Sequence, residues 1–147
     1  MNKKEVIIQS AKEMQKVGKY LANEISKEIL DNKKAIVIGL EGDLGSGKTT
    51  FVQGIAKGLG IKEKITSPTF VIMKKYDFLY HIDCYRIKSK DLLELDFKEI
   101  IKQSGNIVVI EWAERIKKVL PKDVIWMKFE YLDKDKRKII YEEINSN

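Results

Sequence analysis

The chain is short of several residues that usually announce a function. Of its 147 residues one is cysteine, one is histidine and two are proline. A lone Cys84 excludes an internal disulfide, and with no second cysteine or clustered histidine it argues against zinc. No apolar run approaches the ~20 residues that span a bilayer. The short apolar stretch after Lys3 and Lys4 runs into a polar helical pattern instead of forming a signal-peptide core. A soluble, cytoplasmic protein is expected. Repeats, low-complexity tracts and Pro/Gly/Ser linkers are also missing, so residues 1–147 read as a single domain, large enough for one sheet covered by helices.

Arginine is scarce too. Arg86, Arg115 and Arg137 are the only three among 28 basic residues, so the net charge of +6 is a lysine charge scattered from end to end. Biased composition accounts for much of it, although a general basic surface also favours RNA or an acidic partner. A hydrophobic fraction of 44% beside 34% charged residues is that of a folded globular chain.

What is present is an ordered series of elements. Residues 5–9 read as a strand. Ser10 and Glu13 form a capping box for a helix whose buried face carries Met14, Val17, Leu21, Ile25 and Ile29 and which ends near Asp31 and Asn32. The continuous apolar run Ala35 to Leu40 predicts a strand buried on both faces. Thr49 to Leu59 is helical and closes at Gly60. Val71 to Tyr76 and Leu79 to Asp83 are joined too tightly for a helix and predict a hairpin. Leu92 to Gln103 reads as a helix, Ile107 to Ile110 as a second fully buried strand, and Ala113 to Val119 as a short helix. Val124 to Tyr131 and Arg137 to Ile144 flank the charged turn Asp133 to Lys136 as a closing hairpin. The sum is α/β: a mainly parallel core sheet with antiparallel additions and flanking helices.

Between the first buried strand and the helix after it lies Gly42-Asp43-Leu44-Gly45-Ser46-Gly47-Lys48-Thr49, which satisfies the P-loop pattern G-x4-G-K-[ST]. The chemistry requires this placement. Glycines let the backbone wrap around phosphates with its N–H groups inward, and the helix N-terminus adds partial positive charge. Lys48 is placed to neutralise β- and γ-phosphate oxygens, and the Thr49 hydroxyl to ligate Mg²⁺. A carboxylate is then expected at the end of a neighbouring buried strand. Glu111 and Asp83 both stand there, and spacing alone does not rank them. Thr66 to Phe70 lies where P-loop switches often supply a threonine, yet a bare Ser-Pro-Thr is more often a turn entering a strand. His81 reads as a structural strand histidine, Trp112 as core or as a nucleotide or partner contact, and the pairs Lys74-Lys75 and Lys117-Lys118 as solvated faces.

Taken in order, these residues resemble the TsaE (YjeE) family. The resemblance rests on Glu41 to Phe51, then Ser67-Pro68-Thr69-Phe70, then His81-Ile82-Asp83-Cys84-Tyr85-Arg86, then Ile110-Glu111-Trp112-Ala113-Glu114-Arg115, then Leu120-Pro121. It covers about Ser10 to Pro121. Cys84, Ser46 and Lys75 depart from the residues usual in the family without touching the chemistry. The resemblance implies a P-loop NTPase fold that binds and hydrolyses ATP with Mg²⁺. With no water-activating base beyond Asp83 and Glu111 and no arginine clearly placed as an internal finger, slow hydrolysis by the isolated protein is expected. The resemblance also implies action on TsaB and TsaD, which carry threonylcarbamoyl to the tRNA adenosine beside the anticodon, with tRNA an indirect partner through that complex.

By the same resemblance, Thr49 and Glu111 are metal ligands and Asp83 assists or positions water. Thr69 is a switch threonine. The nucleotide meets residues Gly42 to Thr49 (Gly42, Asp43, Leu44, Gly45, Ser46, Gly47, Lys48 and Thr49) together with Thr50 and Trp112. His81, Tyr85 and Arg86 support the site. The rival reading is a small P-loop kinase, which needs an acceptor pocket and usually an arginine-bearing lid. A GTPase would need Asn-Lys-x-Asp after the loop, whereas Asn32-Lys33 precedes it. A nucleotide-gated binding module without useful turnover is a third class.

Overall fold

The computed structural model describes residues 3–28, 32–43, 45–66, 72–86, 91–92 and 96–142. Among the described residues seven strands form one sheet: β1 (Lys3–Ile8), β2 (Ile36–Glu41), β3 (Met73–Tyr76), β4 (Leu79–Asp83), β5 (Ile107–Glu111), β6 (Ile125–Tyr131) and β7 (Arg137–Glu142). Their spatial order is β1-β7-β6-β2-β5-β4-β3. The four central strands β6, β2, β5 and β4 run parallel, while β7, β1 and β3 are antiparallel to their neighbours. The mainly parallel sheet with two antiparallel hairpins expected from the sequence is therefore present.

The continuous apolar strands have a simple cause: both faces of the sheet are covered, so both parities of side chain are buried. Ile36, Ile38, Leu40, Ile107 and Val109 face a layer made by α1 (Ala11–Ser26) and α2 (Lys48–Gly58), with Met14, Leu21, Ile25, Phe51, Val52 and Ile55. Val37, Val108 and Ile110 face the opposite layer, where α3 (Phe97–Lys102) and the 3₁₀ helix Ala113–Val119 contribute Phe97, Ala113 and Ile116. Phe51 of α2 meets Phe129 of β6 edge-on at 5.2 Å between ring centroids, seating the helix that carries the P-loop lysine.

Local signals hold at the start of α1. The Ser10 hydroxyl accepts from the Glu13 N–H at 3.1 Å, and the Glu13 carboxylate accepts from the Gln9 N–H at 2.7 Å. Two boundaries differ from expectation. α1 stops at Ser26, whose hydroxyl donates back to the Ala22 carbonyl at 2.7 Å, short of the predicted Asp31–Asn32 end. Ile29 and Asp31 lie outside the described residues. The predicted Leu92–Gln103 helix is interrupted at Asp96, which adopts a left-handed conformation (φ 60°) before α3 begins; a non-glycine residue there cannot continue a right-handed helix. No helix among the described residues is long and apolar enough to cross a membrane.

Candidate active site

β2 ends at Glu41 and the chain turns through the glycine loop into α2. Gly42, Gly45 and Gly47 have φ of 153°, 78° and 100°, which L side chains rarely adopt. At Gly47 the space is closed as well, because an added Cβ would lie 2.6 Å from Cε of Met14 on α1. Leu44 lies outside the described residues. Inside the loop the Ser46 side chain is buried and its hydroxyl has no hydrogen-bond partner among the described residues. Such a group calls for a polar ligand, since an unsatisfied buried hydroxyl costs ~1–3 kcal/mol.

Lys48 opens α2, is buried, and donates from Nζ to the Gly42 carbonyl. Its ammonium also sits 3.8 Å from the centre of the Trp112 ring. Burial lowers its pKa; Glu111, Glu114, Asp83 and Asp43 pull in the other direction. Trp112 reaches this position because it leaves β5 in a left-handed conformation, φ 59°. That backbone turns the indole back over the loop lysine instead of continuing the strand.

Period two decides which carboxylates meet the loop. Asp83 and Glu111 are paired across β4 and β5, and His81 pairs with Val109 one step earlier, so all four project on the α2 side. The Thr49 hydroxyl lies 3.3 and 3.2 Å from the two Glu111 carboxylate oxygens. His81 Nε2 contacts Glu111 Oε2 at 2.6 Å. Asp83 accepts instead from the Tyr85 N–H at 2.9 Å, and burial raises its pKa. The structure thus separates the two candidates: Glu111 touches Thr49, and Asp83 stands beside it without touching. Thr69, with Ser67, Pro68 and Phe70, lies outside the described residues.

Sequence reasoning missed three contributors. Arg137, at the start of β7, donates from Nε to the Gly45 carbonyl at 2.8 Å and from Nη1 to the Asp133 carbonyl at 2.6 Å, with its guanidinium 4.4 Å from the Tyr131 ring centre. It clamps the loop from the closing hairpin, 92 residues away in sequence; no local pattern signals it. Glu114 has a buried Oε1 with no hydrogen-bond partner among the described residues, and a pKa raised by burial. Arg115, read as one of three dispersed arginines, lies 5.2 Å from the Tyr85 ring and 5.3 Å from Trp112, and Arg86 lies 5.9 Å from Tyr85. Two of the three arginines therefore flank the aromatic pair beside Lys48.

A cleft of about 350 Å³ adjoins the loop, lined by Ser10, Met14, Gly47, Thr50, Asp135 and Arg137 among others. A larger groove of about 550 Å³ is bordered by Trp126, Leu120 and Tyr141 and by none of the residues Gly42 to Thr49, so its size carries no argument about this site.

A mainly parallel sheet whose central strand runs through a glycine loop into a helix bearing Lys48 and Thr49 defines the P-loop fold class. Comparison with a solved structure agrees: a crystal structure of Bacillus subtilis YdiB superposes with a TM-score of 0.77 at 29% identity, covering 98% of this chain and 87% of that one. The family model described as "Threonylcarbamoyl adenosine biosynthesis protein TsaE" matches residues 8–139. Curated TsaE proteins are similar at 39% identity over 142 residues in Aquifex aeolicus (92% of this chain, 93% of the relative) and at 37% over 118 residues in Bacillus subtilis (78% and 73%). The match to the Nostoc relative is higher, 49%, but spans 54% of either chain. The chain belongs to the TsaE family, whose members take part in tRNA threonylcarbamoyladenosine biosynthesis.

Proposed function

We propose that this protein binds ATP with Mg²⁺, hydrolyses it slowly, and acts in the cytoplasm on a TsaB–TsaD complex during threonylcarbamoyl modification of tRNA, which it meets through that complex. The observation that carries the reading is the meeting of Lys48, Thr49 and Glu111 at the mouth of a glycine loop with a free helix N-terminus. The loop N–H groups and Lys48 cradle the phosphates, Lys48 exchanging its bond to Gly42 for phosphate oxygens. The cleft beside Gly47 and Thr50 is of a size to take the nucleoside.

The donor set fits magnesium. Thr49 and Glu111 offer hard oxygen donors, and among the described residues no group of three or more His, Cys, Asp or Glu side chains forms a protein-only metal cage. Mg²⁺ typically keeps several waters and binds through one or two protein oxygens plus substrate phosphates. When bound it supplies neutralisation of developing phosphate charge. Asp83, adjacent to Glu111 and outside its hydrogen bonds, is placed to orient a water. Thr69 is assigned the switch role and Trp112 a place beside the nucleotide.

Phosphoryl transfer rests on positioning and charge, and an arginine supplied by a partner is worth ~10³–10⁵ in rate. Slow turnover alone and faster turnover on docking follow. Lys48→Ala is expected to weaken ATP binding by about 1.5–3 kcal/mol, the worth of a charged hydrogen bond, with an unchanged circular dichroism spectrum. Calorimetry and steady-state phosphate release, with and without saturating TsaB–TsaD complex, test this. Equal ATP affinity in wild type and variant, or turnover indifferent to the partners, would refute the reading.

A further inference from the structure

We infer that His81 is a positioning residue: its imidazole fixes the Glu111 carboxylate against Thr49 and thereby sets how tightly the nucleotide-bound site holds its divalent cation. The inference rests on the magnesium reading given above and adds a residue to it.

His81 is fully buried on β4, and among the described residues only Nε2 of its two ring nitrogens has a partner, Glu111 Oε2 at 2.6 Å. Nδ1 is buried with no hydrogen-bond partner among them. That asymmetry is informative. A histidine kept to satisfy the core would have both nitrogens paired, because each buried unpaired polar atom costs stability. This one leaves Nδ1 orphaned and spends its only contact on the carboxylate. Facing a carboxylate oxygen, Nε2 is the nitrogen that donates. An Nδ1–H form would bury an unpaired donor and press the Nε2 lone pair against a carboxylate oxygen. The Nε2–H form donates to Oε2 and leaves only a lone pair unpaired, which is the cheaper arrangement. Register makes this possible, since His81 sits one pleat repeat below Asp83 and reaches diagonally to Glu111. With Oε2 tied to the imidazole, the carboxylate cannot rotate away from the Thr49 hydroxyl, which lies 3.2–3.3 Å from both of its oxygens. Outer partners of this kind are typically worth 10–100-fold in metal affinity.

The test titrates Mn²⁺, read by its electron paramagnetic resonance signal, into the intact protein saturated with ADP, and measures ADP affinity separately in EDTA. His81→Leu is expected to raise the Mn²⁺ midpoint about 10–100-fold while leaving metal-free ADP affinity unchanged. His81→Gln, whose amide N–H reaches the position of Nε2, should recover most of the loss, whereas the shorter His81→Asn should not. In a Glu111→Gln background, His81→Leu should have no further effect on the midpoint. If the leucine variant does not fold, the glutamine and asparagine pair carries the comparison. Equal Mn²⁺ midpoints for glutamine and asparagine variants, or a loss in metal-free ADP affinity as large as the metal effect, would overturn the role. A wild-type protein that binds ADP without taking up Mn²⁺ would overturn the magnesium reading itself, and is recognised before any variant is made.

Discussion

Replacing Gly54 by alanine adds one methyl group where α1 and α2 touch backbone to backbone. A Cβ at Gly54 would lie 2.2 Å from the Gln15 carbonyl oxygen, and the reciprocal Cβ at Gly18 would lie 2.3 Å from that of Phe51. One turn on, a Cβ at Gly58 would meet the Ala22 Cβ at 2.6 Å. Neither carbonyl can swing aside as a side chain can, so the helices must separate by roughly an ångström or more. In an open helix the same change would stabilise by about 1 kcal/mol, because alanine has the higher helix propensity. Overpacking a closed interface costs about 1–3 kcal/mol, occasionally more, and a rigid backbone clash belongs at the upper end. The net expectation is a loss of about 2 kcal/mol, which for a chain of this size lowers Tm by roughly 4–8 °C.

The consequence extends to function because α2 carries Lys48 and Thr49 at its first turn, so ADP affinity should fall with the stability. Thermal unfolding without nucleotide, with Asn23→Ala on the exposed face of α1 as the propensity control, measures the first effect. A Gly54→Ala protein whose Tm equals or exceeds that of wild type would refute the close-crossing argument.

Other expectations follow from single contacts. Arg137→Ala should weaken ADP binding about two- to tenfold by calorimetry, the worth of an ordering hydrogen bond of ~0.5–1.5 kcal/mol; Arg137→Lys should not restore it, since an ammonium cannot span the Gly45 and Asp133 carbonyls as the guanidinium fork does. Cys84 is fully buried and its thiol is pushed up to about 12 by burial, so at pH 8 only about 10⁻⁴ of it is thiolate, and a disulfide reagent should label it only after unfolding. Asp83 and Glu114 have pKa values raised by burial, so the folded protein holds their protons more tightly than the unfolded chain. Stability should therefore decline as pH rises through the window just above the ordinary carboxylate range. Thermal melts across that window should show a shallower decline for Asp83→Asn and for Glu114→Gln; an unchanged slope in both would contradict the burial argument.

Much of this molecule was legible in the chain because the signals were local. The capping box at Ser10 and Glu13, the two continuous strands, the tight turn between Phe78 and its neighbours, and the glycine loop each depend on residues a few positions apart. The break at Asp96 was not legible, because its left-handed backbone replaces what apolar spacing reads as an uninterrupted helix.

The sequence by itself determined that a P-loop pattern lies between a buried strand and a helix, and that carboxylates close two other strands. Spacing left Glu111 and Asp83 unranked, since both end a buried strand, and only the family resemblance favoured Glu111 as the metal ligand. Only the register of β4 against β5, and the approach of α2 to β5, decided that Glu111 meets Thr49 while Asp83 turns to the Tyr85 amide. The same tertiary pairing brought His81 to Glu111, Trp112 over Lys48 and Arg137 onto the loop. These contacts join residues 30, 64 and 92 positions apart, and side-chain chemistry at such separations is set by how the sheet is ordered, which no short-range pattern encodes.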